Sequence, residues 1–358
     1  MGKRPAAAAR EGLPMAAQRV RIIDIAQELG VSTATVSNVI HGKTKKISDQ
    51  TVRRVQEALE RRQHVPSMAG ILLAQNSSRI VGAAVSGQGP YGCHPLEDSL
   101  VSAALSRLSA ALQEAGYFLM VLVAQDWREI PRLASMWNME GVIVMGFSQP
   151  EWTGLKDGLS VPLVVLDGAS DESLCGPSLD DFGGGRLMGE HFREMGYRRT
   201  LCLASGLTGA EDRRFQGFQE GLGGGTAEFF QVPADARERR RFCESQLDRL
   251  NACQAIFALC DTYAAELAVL LQEKGLRIPE DVAVAGFGDT PLSRQVYPPL
   301  TTIRQDWDQQ ARQAVEQLRR LRQDGDAPEP VPLPLSLVPR RSTLGRRPQM
   351  QRRARLYP

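Results

Sequence analysis

Val20-Arg21-Ile22-Ile23-Asp24-Ile25-Ala26-Gln27-Glu28-Leu29-Gly30-Val31-Ser32-Thr33-Ala34-Thr35-Val36-Ser37-Asn38-Val39-Ile40 reads as two short helices joined by a tight turn at Leu29-Gly30-Val31. Ile22, Ile25 and Ala26 recur at helical spacing, as do Val36, Val39 and Ile40, so each helix has one apolar face. Gly30 suits a turn that needs positive φ, and Ser32 is placed to cap the second helix. The outward face of that helix carries Thr33, Ala34, Thr35, Ser37 and Asn38, all short and uncharged. Such residues can lie flush against a DNA major groove and reach base edges. An ordinary helical hairpin would show the same apolar pattern, and the rest of the chain decides between the two.

Working outward, residues 48–62 predict a third helix with Ser48 as its cap and Val52, Val55 and Leu59 facing the first two. Three short helices make one small core, and Pro66 ends the regular structure. Ser67 to Ala74 is apolar and about two turns long if helical, too short to be stable alone in water; a plain linker is the alternative.

From Arg79 the pattern changes. Short apolar runs at Ile80–Val85, Tyr117–Val123, Gly141–Gly146 and Leu163–Asp167 alternate with helical stretches at 96–115 and 128–139. The series restarts after Asp180-Asp181, with helices at about 184–195, 211–222 and 262–274 and strands at Thr200–Ala204, Ala255–Leu259 and Val282–Phe287. Such alternation indicates parallel sheets covered on both faces, and two series indicate two similar subdomains. Ligands of open parallel sheets bind beyond the carboxyl ends of the strands, so the cleft between the sheets is the expected pocket. Gly183-Gly184-Gly185 opens a helix, and such a start could hold a phosphate. It lacks the spaced GxGxxG pattern, so a close strand-to-helix turn explains it better.

The chain has 358 residues, enough for two or three domains, and 42% hydrophobic content, ordinary for a soluble globular protein. No apolar run approaches the roughly 20 residues of a membrane span. Six scattered cysteines without a CxxC pair and four isolated histidines give no zinc pattern, and no metal or cofactor is expected. The isolated cysteines, without an export signal, point to the cytoplasm. The net charge of +2 conceals an asymmetry: residues 16–78 carry +4, residues 339–358 carry +7, and residues 79–338 carry −11. A basic head on an acidic body fits a head that contacts phosphate.

Taken in order, these residues resemble the lactose-repressor (LacI/GalR) family of bacterial transcription regulators over roughly residues 20–343. The resemblance rests on Asp24-Ile25-Ala26, Gly30-Val31-Ser32 and Thr35-Val36-Ser37 in the head, then Val65-Pro66. It continues through Gly116-Tyr117, Glu140-Gly141-Val142-Ile143, Glu190-His191-Phe192, Gly196-Tyr197-Arg198-Arg199 and Arg214-Phe215-Gln216-Gly217-Phe218. Ile278-Pro279-Glu280-Asp281-Val282, Gly286-Phe287, Pro298-Pro299-Leu300-Thr301-Thr302-Ile303 and Arg341-Ser342-Thr343 complete it.

The resemblance implies an N-terminal all-α helix-turn-helix head and hinge helix, followed by an α/β periplasmic-binding-protein-like core of two parallel-sheet subdomains that dimerises. The expected organisation is a disordered extension at 1–18 (with Met15 an equally good start), a DNA-binding domain at 19–64 and a hinge at 65–78. An effector-binding core at 79–338 and a basic tail at 339–358 follow. By family position Thr33, Ala34 and Asn38 vary with operator sequence, while Ser32, Thr35, Ser37 and His41 position the DNA backbone. Leu73 sits where the family wedges a leucine into the minor groove. The hinge departs from the family at Ser67 and Gly70. In the effector pocket Arg214 matches the family's ligand-binding arginine and Asp167 ends a strand near the ligand. Cys260-Asp261 replaces the usual Asn-Asp, and Gly288-Asp289 the usual Asp-Asp, so Cys260 and Asp289 are the remaining effector-site candidates.

The function implied is a homodimeric transcriptional regulator, a repressor, that binds a pseudo-palindromic operator under control of a sugar or sugar acid, with Arg214 suited to a carboxylate. Asp167 or Asp289 as helix caps, and Arg214 as a structural ion-pair partner, are the plainer alternatives. A pocket that answers to a protein partner is a variant of the regulator reading. A solute-binding protein of transport would share the core but not the head. An enzyme is not expected, because GxSxG and HExxH motifs and a Gly-rich phosphate loop are missing.

Overall fold

The computed structural model describes residues 20–40, 42–64, 77–92, 94–166, 175–207, 209–326 and 331–344. The extension at 1–18, most of the hinge, His41, Leu73, Asp167 and the end of the tail lie outside them. The chain divides into two compact units, residues 1–78 and 79–358.

In the first unit, α1 (Ile22–Leu29), α2 (Thr33–Ile40) and α3 (Asp49–Arg61) pack around Ile25, Ala26, Val36, Val39, Val55 and Ala58. Gly30 ends α1 at φ 66°, and the following Val31 N–H returns to the Ala26 carbonyl at 3.0 Å. The left-handed conformation costs glycine little and turns the chain sharply into α2. Ser48 caps α3 by accepting the Thr51 N–H at 3.3 Å. Glu28 on α1 is clasped by Arg61 and Arg62 at the end of α3, which ties the first helix to the last.

The second unit holds two sheets. The first has the order β2-β1-β3-β4, all parallel, with β1 Ile80–Ser86, β2 Phe118–Ala124, β3 Gly141–Met145 and β4 Leu163–Val165. The second comprises β5 Arg199–Ala204, β6 Thr226–Gln231, β7 Ala255–Ala258, β8 Ala283–Gly288, β9 Thr301–Arg304 and β10 Ser336–Val338. Its order is β10-β9-β8-β7-β5-β6, and only β10 is antiparallel to its neighbour. Each sheet reverses its winding once, between β1 and β3 and between β5 and β7. The two subdomains are not successive stretches of chain. The helix Trp307–Asp324 returns to the first, where Ala311, Ala314, Val315 and Leu318 share a core with Val81, Val101 and Leu108. The chain then crosses back, and Leu333 bridges Leu179 in parallel, so two crossover segments run side by side.

Several boundaries shift for identifiable reasons. The helix expected at 96–115 splits into a 3-10 turn, Pro95–Glu97, and a helix Ser99–Glu114, because Asp98 caps the latter through the N–H groups of Leu100 and Val101. The helix expected at 184–195 starts at Asp181, where Asp180 accepts the Gly183 N–H at 2.9 Å. Most importantly, the glycine run is neither a phosphate cradle nor a strand-to-helix turn. It lies within the helix Asp181–Glu194, whose backbone meets that of Ala210–Leu222 directly. A Cβ on Gly185 would stand 1.9 Å from the Arg214 carbonyl oxygen, and one on Gly217 1.9 Å from that of Phe182. Finally, residues 340–344, assigned by sequence to a basic tail, belong to the core. Ser342 and Thr343 are fully buried, and the Thr343 hydroxyl lies 2.6 Å from that of Thr301 and 2.8 Å from His191 Nε2.

Candidate DNA-binding surface and effector cleft

On α2, Val36 and Val39 are buried, while Thr33, Ala34 and Asn38 are exposed and Thr35 and Ser37 half-buried. One face is thus held in the head's core and the other is presented outward. The Ser32 hydroxyl accepts the Thr35 N–H at 3.1 Å and lies 2.9 Å from the Thr35 hydroxyl. Capping therefore fixes both side chains before any partner arrives. Lys43, Lys45 and Lys46 are exposed just beyond α2.

In the second unit, the loops after β1, β3, β5 and β7 converge on a cleft of about 810 Å³. These loops flank both winding reversals, where ligands of open α/β sheets bind. Arg214 lines the cleft from the helix Ala210–Leu222. Its Nε donates to Asp181 at 2.8 Å, its Nη1 donates to the Leu259 carbonyl at 3.0 Å, and its guanidinium lies 3.8 Å from the Phe287 ring centroid. Burial pushes the Asp181 carboxyl up, and Arg214 opposes that shift.

Cys260 also lines the cleft, as the residue before the helix Asp261–Glu273. Burial pushes its thiol up, so it stays protonated at neutral pH. The next carboxyl, Asp261, is buried and pushed up to about 6 by desolvation, although Thr302 and Thr290 donate hydrogen bonds to it. Asp98 and Ser99 connect the subdomains: Thr262 donates to Asp98 at 3.0 Å, and the Ser99 and Thr290 hydroxyls lie 3.2 Å apart.

The expectation for Asp289 is corrected. Its carboxylate is taken by Arg340, by Arg304 at 2.7 Å and by Arg294 at 3.5 Å, with its side chain 4% exposed. It ties the β8 end to three arginines and is not among the described residues lining the cleft. Asp181, Ser205, Glu211 and Tyr263 are cleft residues that sequence reasoning did not select. Glu211 carries a readable signal, since it stands one helical turn before Arg214 on the same face.

Comparison with known proteins matches residues 21–67 to "Bacterial regulatory proteins, lacI family" and residues 190–343 to "Periplasmic binding protein-like domain". The HTH-type transcriptional repressor PurR of Vibrio cholerae serotype O1 is 28% identical over 300 residues, which cover 79% of this chain and 86% of that protein. PurR of Haemophilus influenzae is 29% identical over 315 residues, 82% of this chain and 88% of that protein. Among solved structures, the lac repressor dimer bound to operator and the anti-inducer ONPF superposes with a TM-score of 0.78 at 24% identity, over 92% of this chain and all of that one. A complex of the transcriptional regulator CelR with cellobiose superposes at 0.63 and 24%, over 90% of this chain and all of that one.

Proposed function

The chain belongs to the lacI family of bacterial regulatory proteins, and from that premise we propose that it represses transcription by gripping a pseudo-palindromic operator as a dimer, under control of a small carbohydrate-like effector in the cleft. The presented face of α2 carries the DNA part of this reading: uncharged Thr33, Ala34 and Asn38 stand outward on a helix anchored by Val36 and Val39. Lys43, Lys45 and Lys46 add phosphate attraction. By family position His41 contributes to backbone contact and Leu73 to the minor-groove wedge. No catalytic step is assigned. Among the described residues no group of His, Cys, Asp and Glu is placed to hold a metal, and no helix is long and apolar enough to cross a membrane. The protein acts on DNA in the cytoplasm.

Two features support the second copy. Among the described strands β2 is an edge, on which Phe118, Val121 and Val123 are exposed, and an exposed apolar edge invites pairing. An apolar groove of about 600 Å³ runs between the helices Ala236–Ser245 and Asp261–Glu273, beside exposed Val269. Replacing Phe118 with lysine is expected to weaken the dimer by about 2 kcal/mol, roughly thirty-fold. Sedimentation at graded protein concentration measures it, and an unchanged dimer would remove this edge from the interface.

Control works through the relative closure of the two subdomains. An effector that prefers one closure shifts the equilibrium by its difference in affinity for the two states. By linkage, the operator must change effector affinity by the same factor. The DNA reading is tested by selecting sites from a randomised library with the full chain. Asn38→Ala should relax preference at one base pair of each half-site by roughly 1–3 kcal/mol. An equal loss on every sequence would reject Asn38 as a base reader.

A further inference from the structure

We infer that the cleft selects an amine-bearing ligand, a small polyhydroxylated compound whose ammonium group sits against Glu211 beside Ser205 and Tyr263. This refines the effector reading above and rests on it.

The charge inventory of the cleft favours a cation. Among the described residues lining it, five bear carboxyl groups (Asp98, Glu151, Asp181, Glu211 and Asp261), against the single guanidinium of Arg214 and no lysine or histidine. Such a wall concentrates cations and repels anions. Arg214 does not offset it for an incoming acid. Its Nε edge, the one that would clasp a carboxylate side-on, is already on Asp181, and Nη1 is on the Leu259 carbonyl. A sugar acid would be left with the Nη2 end of the guanidinium, next to Asp181, while facing the remaining carboxylates.

The five acids are not equivalent. Asp98 caps the helix Ser99–Glu114, and Glu151 caps Gln149–Gly158 by accepting the Ser148 N–H at 2.7 Å. Asp181 has Arg214, and Asp261 accepts from Thr290 and Thr302. Glu211 caps no described helix and pairs with no described cation: it meets the Ser205 hydroxyl, 3.3 and 3.4 Å from the two carboxylate oxygens, and the Ser205 and Gly206 backbone. Among the described residues no lysine, arginine or histidine forms a salt bridge with it. Burial pushes its carboxyl up, against the pull of nearby Arg214. A cation placed there would stabilise the ionised form and add the opposite charge that no described side chain pairs with it.

The opposite walls suit the rest of such a ligand. Tyr91, Phe147 and Trp307 line the cleft, and the Trp307 indole N–H is spent on the Gly288 carbonyl at 3.2 Å. That leaves the indole to act through its face, which packs against sugar C–H groups and attracts cations. Cys260, in the position where the family carries an asparagine, offers only a weak thiol donor beside the acid.

The test is calorimetric titration of the full chain at pH 7 with three matched series: 2-amino-2-deoxyhexoses, their N-acetyl and parent hydroxyl congeners, and the corresponding hexuronic and aldonic acids. Free amines should bind at least tenfold more tightly than the other two series. Glu211→Gln should lose tenfold or more for the amine and little for the parent sugar, with the melting curve of the unliganded variant reporting its fold. Tighter binding of a neutral or acidic congener would overturn the amine assignment and leave the effector reading standing. Undiminished amine affinity in the variant would do the same. Silence from all three series would remove both.

Discussion

Replacing Gly185 by alanine is expected to destabilise the core by about 3 kcal/mol or more, at the upper end of what overpacking costs. The added carbon would stand 1.9 Å from the Arg214 carbonyl oxygen and 2.8 Å from its carbon. Those are backbone atoms of a helix, which cannot swing aside as the end of a side chain can. The same intimacy recurs along the pair, with Gly189 against the Phe218 carbonyl at 2.3 Å and Gly221 against that of Arg186 at 2.1 Å. Relief therefore requires the two helices to separate. Because the obstructing carbonyl belongs to Arg214, separation also displaces the guanidinium from Asp181 and the cleft. Effector affinity should fall along with the urea midpoint. Gly206→Ala is the comparison, since nothing lies within 4 Å of its added carbon and its cost should stay below about 0.5 kcal/mol. Equal stability of the two variants would refute backbone-to-backbone packing of these helices.

Removing the guanidinium in Arg340→Ala is expected to cost about 3 kcal/mol at neutral pH, because it strands much of the charge of a buried carboxylate. Arg340 pairs with Asp289 and also donates to the Leu300 carbonyl at 2.7 Å and the Ser293 hydroxyl at 3.0 Å. Burial alone would push the Asp289 carboxyl up, but hydrogen bonds and charge from Arg340 and Arg304 hold it below the ordinary carboxylate value. The sign follows from that depression. The stabilisation is complete above the unfolded value near 4 and is lost as pH falls through the lower folded value. The gap between wild type and Arg340→Ala should accordingly narrow as urea titrations move from pH 7 toward pH 3. A gap independent of pH would show that the lost contacts to Leu300 and Ser293, not the charge pair, set the cost.

What the sequence made legible was whatever local pattern controls. The head's helices, its Gly30 turn and its Ser32 and Ser48 caps depend on neighbours within a few residues, and all are present. The apolar runs of β1, β3, β5, β7 and β8 stand out because parallel strands covered on both faces are continuously hydrophobic. β6 lacks that signature: at the edge of the sheet, exposed Thr226, Glu228 and Gln231 interrupt half-buried Ala227 and Phe229 and buried Phe230. The helix Trp307–Asp324 is amphipathic, yet nothing local says that its apolar face serves the distant first sheet. The cleft was located by strand logic, and Arg214 and Cys260 do line it. Asp289 was misplaced because its partners, Arg304 and Arg340, are 15 and 51 residues away. The glycine run was misread for a similar reason: an added carbon would meet the Leu335 and Phe287 side chains at Gly184 and the facing helix at Gly185, all distant in sequence.

The interleaving of the two subdomains imposes an order on biosynthesis. The head is a contiguous segment whose core is complete once Leu59 has left the ribosome. The first sheet is then made, but one wall of its core waits for Leu318. The second waits longer still, for Ser342 and Thr343 to close over Thr301. A nascent chain therefore carries a finished head for most of its synthesis while both sheets remain open. An arrested or prematurely terminated product would inherit the same imbalance: a reader of DNA lacking the completed body that a signal must act through.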